Sequence, residues 1–500
     1  MSRVLPAART VVVFGLVLQA AGFVKVLVVA NFFGTGALLD AYYLALIIPT
    51  FAAGVAAGMM QTSFIASYVT AKSRGAIEAA HRLAGFALTW SVLALALVAL
   101  LSMLGRDAAM GLVALGAKTE TRLQLQQVFV PLVWTAPLLG LADCGAMLLN
   151  AEGRFSLAAC APLLNAAVGT LVLALWRDSG AAALVWSLVA GLIAQAAMVL
   201  LAIRGARVPL RPVLSLPAAL PGVFAAVALP VLISTILGNV VLSILQMISA
   251  RAGVGAVSSM AYASRLHNAL IQAVVLSASV VLLPHFARLN AEGRTVELRE
   301  NLERVFAAAL LFSIGSVALV AVGGPRLVAI LLQRGSFTAA DADLVSAVWL
   351  ALTTGLLGAT WSIFLARLFQ AQHRAWVIAG MTGVSVVLNV LLALALRPPL
   401  GVIGVALANS LAYLVVMGLY HWRARHTLGP ILSRVTLVFA AKVLAGNLAA
   451  YWVASAAPGW LYPIAPGWLM CLQVAAVVIV NVLLARGAPL RLTPRAVLQL

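Results

Sequence analysis

The stretch Gly34-Thr-Gly-Ala-Leu-Leu-Asp40-Ala-Tyr-Tyr43 connects two long apolar segments, and part of it recurs 219 residues later. The second copy reads Gly253-Val-Gly-Ala-Val-Ser-Ser-Met260-Ala-Tyr262, with the two glycines, the alanine and the second tyrosine of the first copy in the same places. Each copy ends one apolar segment and begins the next. A repeated connection of this kind indicates that one half of the chain duplicates the other.

The composition is that of a polytopic membrane protein, because 64% of the 500 residues are hydrophobic and only 9% are charged. The apolar runs are long and lack the alternation of polar and apolar residues that β-barrel strands need, so we predict an all-α fold. We predict about 14 transmembrane helices. They cover 10–33, 41–70, 83–104, 125–149, 156–176, 182–203, 219–247, 256–284, 305–323, 343–369, 376–396, 401–420, 432–455 and 467–485.

Two further matches support a duplication. Asn150-Ala-Glu-Gly-Arg154 resembles Gln370-Ala-Gln-His-Arg374 at a shift of 220, and Leu163-Leu-Asn165 resembles Val387-Leu-Asn389 at a shift of 224. Six spans separate the matched elements, so the two copies have the same orientation. We therefore predict two parallel six-helix lobes and two C-terminal helices. The predicted boundaries are 1–212 for the first lobe, 213–426 for the second, and 427–500 for the two additional helices and a cytoplasmic tail.

The net charge of +19 does not indicate a nucleic-acid partner, because the basic residues are spread over short loops without a basic domain. If the N-terminus is cytoplasmic, 21 lysines and arginines fall in inside loops and 8 in outside loops, and three lie in spans, which accounts for all 32. This asymmetry follows the positive-inside rule and favours cytoplasmic positions for both termini.

No enzymatic signature is present, since the sequence has no HExxH, CxxC, GxSxG or Walker A motif. Its three cysteines lie in apolar stretches without metal-ligand spacing, so neither a metal nor a cofactor is expected. A duplicated helical chain suits a transporter that works by alternating access. The energy would then come from the membrane potential, from a monovalent-ion gradient, or from downhill removal of the substrate.

Lys25 is the first candidate cavity residue, because a charge inside an apolar span marks a polar pathway by default. Gln19 and Asn31 lie six residues to either side of it and extend a polar stripe along one face of the first helix. The alternative is that Lys25 extends to the membrane interface and contacts no substrate. The end of the span at Phe33 is roughly 12 Å away, which is far for a lysine side chain.

Four further charged residues lie in or beside apolar segments. Asp40 suits the cap of a helix N-terminus, or a partner of Lys25, a substrate or an ion. Arg265, with Gln272 about two turns later, suits phosphate recognition, with a structural ion pair as the alternative. Asp143 and Lys442 could pair with each other, bind an ion or lie near span ends, and the sequence leaves these alternatives open.

Several of these segments together resemble the MurJ/MviN family of lipid II flippases, within the multidrug/oligosaccharidyl-lipid/polysaccharide exporter superfamily. The matching segments are Asn31–Pro49, Leu148–Phe155, Ala161–Asn165, Tyr262–Leu266, Leu282–Pro284 and Arg334–Thr338. They occur in order through both predicted lobes, so the resemblance covers essentially the whole chain.

The resemblance implies a flippase of the bacterial cytoplasmic (inner) membrane. Its expected substrate is a polyprenyl-pyrophosphate-linked saccharide, namely the peptidoglycan precursor lipid II. In that family the first, second, seventh and eighth helices line a cationic cavity for the pyrophosphate and head group, and the last two helices are associated with a groove for the lipid tail. Envelope-synthesis proteins are candidate partners, and the sequence leaves the oligomeric state open.

By resemblance, Lys25 and Arg265 stand at family arginines and Asp40 at a family aspartate. Gln19 and Asn31 stand where the family usually has arginine, so the cavity would be less cationic than is typical. Three alternatives therefore stay open: a flippase for another lipid-linked polysaccharide unit, a cation-coupled exporter of the same superfamily, and a non-transporting cell-envelope scaffold.

Overall fold

The computed structural model describes residues 21–209, 211–215, 229–455 and 466–486, and every regular element within these ranges is helical. The predicted all-α fold is therefore confirmed. In chain order the helices are α1 (Ala21–Phe33), α2 (Ala37–Ala45), α3 (Ile47–Met59), α4 (Ile65–Ser73), α5 (Ile77–Leu104), α6 (Arg106–Val113), α7 (Thr119–Val133), α8 (Ala136–Ala151), α9 (Phe155–Leu175), α10 (Ala181–Gly205), α11 (Leu229–Ser249), α12 (Ala256–Ala291), α13 (Thr295–Leu332), α14 (Ala339–Thr353), α15 (Leu356–Ala371), α16 (Ala375–Leu428), α17 (Arg434–Ser455) and α18 (Pro466–Arg486).

Within the described ranges, each of the fourteen predicted segments coincides with a helix, part of a helix or a set of consecutive helices. Among the residues that the structure describes, eight helices are long and apolar enough to cross a membrane, or up to ten if each of two bent pairs forms one span. The chain is thus a multi-pass membrane protein, while the count of fourteen spans stays a prediction. The eleventh and twelfth predicted segments both lie in α16, which is broken at Gly401 by a left-handed backbone conformation (φ 60°).

The bends have local causes. α7 and α8 meet at 45°, between Pro131 and Pro137, because proline cannot donate the helical hydrogen bond and disrupts the preceding turn. α14 and α15 meet at 42°, next to Gly355. The second predicted segment is also interrupted, by a π-helical turn over Met60–Phe64 between α3 and α4.

The chain forms two compact units. Unit 1 contains residues 1–258 and 334–337, and unit 2 contains residues 259–333 and 338–500. α11 belongs to unit 1 because it packs closely on α3, where a Cβ at Gly54 would lie 2.9 Å from Nδ2 of Asn239. The two units are defined by contacts within each of them and not by the internal repeat. The predicted duplication boundary at 212/213 therefore stays a prediction.

Each unit has its own apolar core. The core of unit 1 is formed mainly by α5, α8 and α10, through residues that include Leu88, Cys144, Leu148 and Val199. The core of unit 2 is aromatic and joins α12, α13, α15 and α16. Its buried aromatic members are Phe286, Phe306, Trp361, Phe364, Phe369 and Tyr420, with the Phe306 and Trp361 rings edge to face at 4.9 Å.

In unit 2, polar contacts hold α17 against α13 and α18. Glu303 of α13 accepts a hydrogen bond from the Ser433 backbone N–H at 2.8 Å and another from the Thr436 hydroxyl, so it caps the start of α17. Asn481 of α18 donates to Oδ1 of Asn447 of α17 at 2.9 Å. In an apolar environment such side chains pair with each other because no water is present to replace the partner.

In unit 1, the turn between α8 and α9 is tied to α4 by a small polar cluster. Glu152 accepts hydrogen bonds from Nζ of Lys72 at 2.6 Å and from the hydroxyl of Tyr68 at 2.5 Å. Burial opposes ionisation of Glu152, but these hydrogen bonds outweigh it and lower the pKa of its carboxyl. The cluster therefore stabilises the folded protein only while Glu152 is ionised.

This arrangement predicts an acid-sensitive contribution to stability. Because the pKa of Glu152 is lower in the folded protein, the contribution is complete above its unfolded pKa of about 4.3 and is lost as pH falls through the lower folded pKa. Glu152→Gln should reduce the free energy of unfolding by about 0.5–1 kcal/mol at pH 7, since Lys72 is partly exposed. Thermal melts in detergent from pH 7 to pH 3 would measure this difference, which should shrink towards acid pH.

The matched control is Glu297→Gln, which removes an exposed ion pair with Arg294. Its effect should be smaller at every pH. A difference between wild type and Glu152→Gln that does not change with pH would contradict the assignment.

Candidate functional site

Asp40 is almost completely buried, with 1% of its surface exposed, and its carboxylate binds the beginning of α12. Its oxygens accept hydrogen bonds from the backbone N–H of Gly255 at 2.7 Å, the backbone N–H of Ser258 at 2.8 Å and the Ser258 hydroxyl at 2.7 Å. Gly255 immediately precedes α12, at the N-cap position, and has no side chain that could accept these bonds. Asp40 supplies the missing cap from another helix.

This geometry bears on the two interpretations of Asp40. The sequence suggests a helix cap or a partner for Lys25, a substrate or an ion. The carboxylate does cap a helix, but it caps α12 rather than α2, which contains it. An anion at a helix N-terminus is stabilised by the unpaired N–H groups and by the helix dipole. Whether Asp40 also contacts a substrate stays a prediction.

A third turn joins the same region of unit 1. The backbone N–H of Ser336 donates to the carbonyl of Asn31 at 2.9 Å, and its hydroxyl donates to the carbonyl of Phe32 at 3.0 Å. These two carbonyls lie at the C-terminal end of α1, where carbonyl groups lack helical partners. We refer to residues 31–36, 253–258 and 334–337 as the turn cluster.

Two glycines make the approach of these turns possible. Gly34 (φ 57°) and Gly335 (φ 58°) both have left-handed backbone conformations that other residues rarely adopt. A Cβ at Gly34 would collide with the Ser336 carbonyl oxygen, and a Cβ at Gly335 would collide with the Asn31 carbonyl oxygen. The glycines therefore serve both the backbone conformation and the close contact.

Lys25 is half-buried on α1, and its ammonium group reaches the neighbouring pair α9 and α10. A Cβ at Gly169 of α9 would lie 2.8 Å from Nζ of Lys25 and 2.8 Å from the Ser187 carbonyl oxygen of α10. Gly169 lies six residues before the end of α9, or roughly 9 Å along the helix. The ammonium group thus lies among membrane-spanning helices rather than at the end of a span.

The other predicted cavity residues belong to different elements of the chain. Asn31 belongs to the turn cluster, where its carbonyl accepts the bond from Ser336. Arg265 and Gln272 are exposed residues of α12 in unit 2. Gln19 lies outside the described residues. The roles of these residues in substrate binding stay predictions.

Asp143 is half-buried on α8 in unit 1, and Lys442 is exposed on α17 in unit 2. Within the residues that the structure describes, no group of three or more histidine, cysteine, aspartate or glutamate side chains is arranged to hold a metal ion.

Sequence reasoning missed Ser258, Ser336 and Gly169 as site residues. The repeated turn did contain a signal for Ser258, because a glycine at the N-cap leaves α12 without a cap of its own. No comparable signal identified Ser336 or Gly169, since their contacts join residues far apart in the chain.

A family model described as "Lipid II flippase MurJ" matches residues 29–475 of this chain. The "Probable lipid II flippase MurJ" of Rhizobium meliloti (strain 1021) is 29% identical over 475 residues, which cover 87% of this chain and 86% of the relative. The protein of the same description from Thermotoga maritima is 24% identical over 398 residues, which cover 79% and 80%.

Solved structures show the same fold. A structure titled "Lipid II flippase MurJ, inward closed conformation" has a TM-score of 0.79 at 17% identity and covers 95% of this chain and 97% of that chain. An inward-facing multidrug resistance MATE family transporter of the MOP superfamily has a TM-score of 0.68 at 15% identity, with coverage of 83% and 94%.

The buried cap predicts a large effect of Asp40 on stability. Asp40→Ala should lower the free energy of unfolding by about 2–3 kcal/mol, because it leaves two buried backbone N–H groups without acceptors. Ser258→Ala should cost about 1 kcal/mol, since it removes only the hydroxyl donor. Denaturant titration of the purified protein in micelles would measure both values.

Asp341 provides a matched control, because it forms an exposed capping box with Thr338 at the start of α14. Asp341→Ala should cost less than Asp40→Ala, since water can replace an exposed cap. Equal losses in the free energy of unfolding at the two positions would show that burial does not strengthen the Asp40 cap.

Proposed function

Because the chain belongs to the lipid II flippase MurJ family, we propose that it translocates lipid II across the cytoplasmic membrane. The observation that carries this proposal is the family match over residues 29–475, which extends through both units. The resemblance predicted from the sequence motifs is thereby confirmed. The family is one of transporters, so the protein is proposed to move its substrate without chemical change.

Lys25 and Arg265 are proposed to bind the pyrophosphate of the substrate. A charge inside an apolar helix needs a polar or aqueous surrounding, and the ammonium of Lys25 lies among helices of unit 1. Arg265 is exposed and has a planar guanidinium, which suits bidentate binding of phosphate oxygens. Gln19, Asn31 and Gln272 are proposed as polar neighbours that contact the head group.

The turn cluster is proposed to close the outer side of the protein. Its three turns follow the first, seventh and ninth predicted spans, which places them outside if the N-terminus is cytoplasmic. One turn comes from the first predicted lobe and two from the second. Alternating access would then require Asp40 to release α12 before the outer side opens.

Both termini are proposed to be cytoplasmic, with the membrane potential or a monovalent ion as the energy source. The lower cationic content of the first helix leaves another lipid-linked glycan as the alternative cargo. Proteins of envelope synthesis are proposed as partners.

Complementation tests the cargo and the two cations together. We expect this chain to rescue growth of a bacterium depleted of its own lipid II flippase. Lys25→Ala and Arg265→Ala should abolish rescue because each removes a phosphate-binding charge, whereas Lys25→Arg should retain it. Growth and lipid II accumulation would be measured at equal membrane levels of each variant.

The matched control is Arg177→Ala, which removes an exposed arginine from the turn between α9 and α10. It should rescue as well as wild type. Failure of the wild-type chain would reject lipid II as the cargo, and full rescue by the double variant Lys25→Ala/Arg265→Ala would reject the proposed phosphate site.

A disulfide across the turn cluster tests the proposed closure. A Cβ at Gly255 would lie 3.5 Å from Cβ of Thr35, which is within the range of a disulfide. In a variant whose native cysteines are replaced by alanine, Thr35→Cys/Gly255→Cys should arrest translocation of lipid II when oxidised. Reduction should restore it, and a vesicle-based flipping assay would measure both states.

The single variant Gly255→Cys is the control for backbone strain, because Gly255 has a positive φ of 81°. It should be equally active with and without oxidant. Undiminished flipping by a fully cross-linked double variant would show that the turn cluster does not have to open.

A further inference from the structure

A groove of about 580 Å³ runs between α9 and α10 in unit 1. Its walls are apolar, with Leu157 and Leu164 from α9 and Met198 and Leu201 from α10. Small residues of α10, including Ala194 and Ala197, also line it. From Arg154 to Leu164 it spans ten residues, or roughly 15 Å, which is about half the thickness of the bilayer hydrocarbon core.

One end of the groove is basic. Arg154 lines it and donates from Nη2 to the Gly205 carbonyl at 3.3 Å, so its guanidinium lies across the end of α10. Arg204 and Arg207 are exposed at the same helix end. The neighbouring acid Glu152 is engaged by Lys72 and Tyr68, so it does not neutralise these arginines.

We propose that this groove binds a phospholipid of the surrounding bilayer with an anionic headgroup. One acyl chain would occupy the apolar part, whose length matches a single leaflet. The phosphate would bind Arg154 and Arg204, since guanidinium groups form paired hydrogen bonds with phosphate oxygens. Basic pockets between membrane helices bind anionic lipid headgroups by this chemistry.

A purely structural role of Arg154 does not account for both the groove and the exposed arginines at its end. A cation at a helix C-terminus stabilises the unpaired carbonyls, which explains the bond to Gly205. It does not explain Arg204, whose side chain makes no hydrogen bond or ion pair within the described part of the chain. Nor does it explain an apolar groove that begins at Arg154. None of the lining residues belongs to the turn cluster or to the proposed cargo path, so this site goes beyond the proposed function.

Photolabelling would test the proposal. The full-length protein is placed in phosphatidylcholine nanodiscs that contain phosphatidylglycerol with a diazirine on one acyl chain, and labelled peptides are mapped by mass spectrometry. We expect labelling concentrated on α9 and α10 between Leu157 and Gly205. Arg204→Ala should reduce it about fivefold, because one arginine near a lipid headgroup contributes about 1 kcal/mol. Ala197→Trp should abolish it by filling the groove.

The controls lie at the opposite end of the same two helices. Arg177→Ala and Ala174→Trp match the two test variants in chemistry and exposure and should leave the labelling unchanged. Arg204→Ala keeps the bond between Arg154 and Gly205, and circular dichroism with gel filtration verifies that every variant is folded.

Three results would overturn the proposal. Equal labelling by diazirine-bearing phosphatidylcholine would remove the role of the anionic headgroup. Stronger labelling by a diazirine-bearing polyprenyl phosphate, with displacement of phosphatidylglycerol, would assign the groove to the tail of the cargo. Labelling that Arg204→Ala and Ala197→Trp do not change would show that no specific site exists.

Discussion

The capping of α12 by Asp40 is the interaction on which the arrangement of unit 1 depends. A buried helix N-terminus has N–H groups that must find acceptors, and Gly255 at the cap position offers none. The acceptor comes from α2, which is 215 residues earlier in the chain. This bond holds the turns at 31–36 and 253–258 together. The backbone conformations of Gly34 and Gly335 allow the 334–337 turn to pack against the end of α1, where Ser336 donates to the carbonyls of Asn31 and Phe32.

The same requirement explains the other polar contacts of the spans. Asn447 and Asn481 pair between α17 and α18, and Asn165 donates to Gln195 between α9 and α10 at 2.7 Å. In each case an amide on one helix meets an amide on its neighbour, because an unpaired amide in hydrocarbon costs more than the pair gains in net stability. Such pairs fix which helices are neighbours, whereas apolar packing alone would tolerate other arrangements.

The sequence predicts the helices well because apolar composition and length leave a membrane segment few alternatives to a helix. It does not predict the π-helical interruption after Met59. It does separate the eleventh and twelfth predicted segments at 396 and 401, where α16 is broken at Gly401. It identified Asp40 as exceptional and suggested a cap, but it could not tell which helix is capped. The sequence also does not predict the contacts of Lys25 with Gly169 and of Ser336 with Asn31, because residues so far apart in the chain form no local pattern.

The strength of the turn cluster bears on the proposed alternating access. If the cluster opened into a dry interior, each broken hydrogen bond would cost about 4–6 kcal/mol, and the cluster would stay closed. The three bonds of Asp40 lie at a turn, where opening would admit water that replaces the lost partners. Their net contribution then falls to about 1.5–3 kcal/mol each at most, as for other bonds to charged groups, and less where hydration is complete. States separated by only a few kcal/mol can both be populated. A cap at a helix end is therefore compatible with a moving part, whereas the same carboxylate paired at the middle of a span would not be.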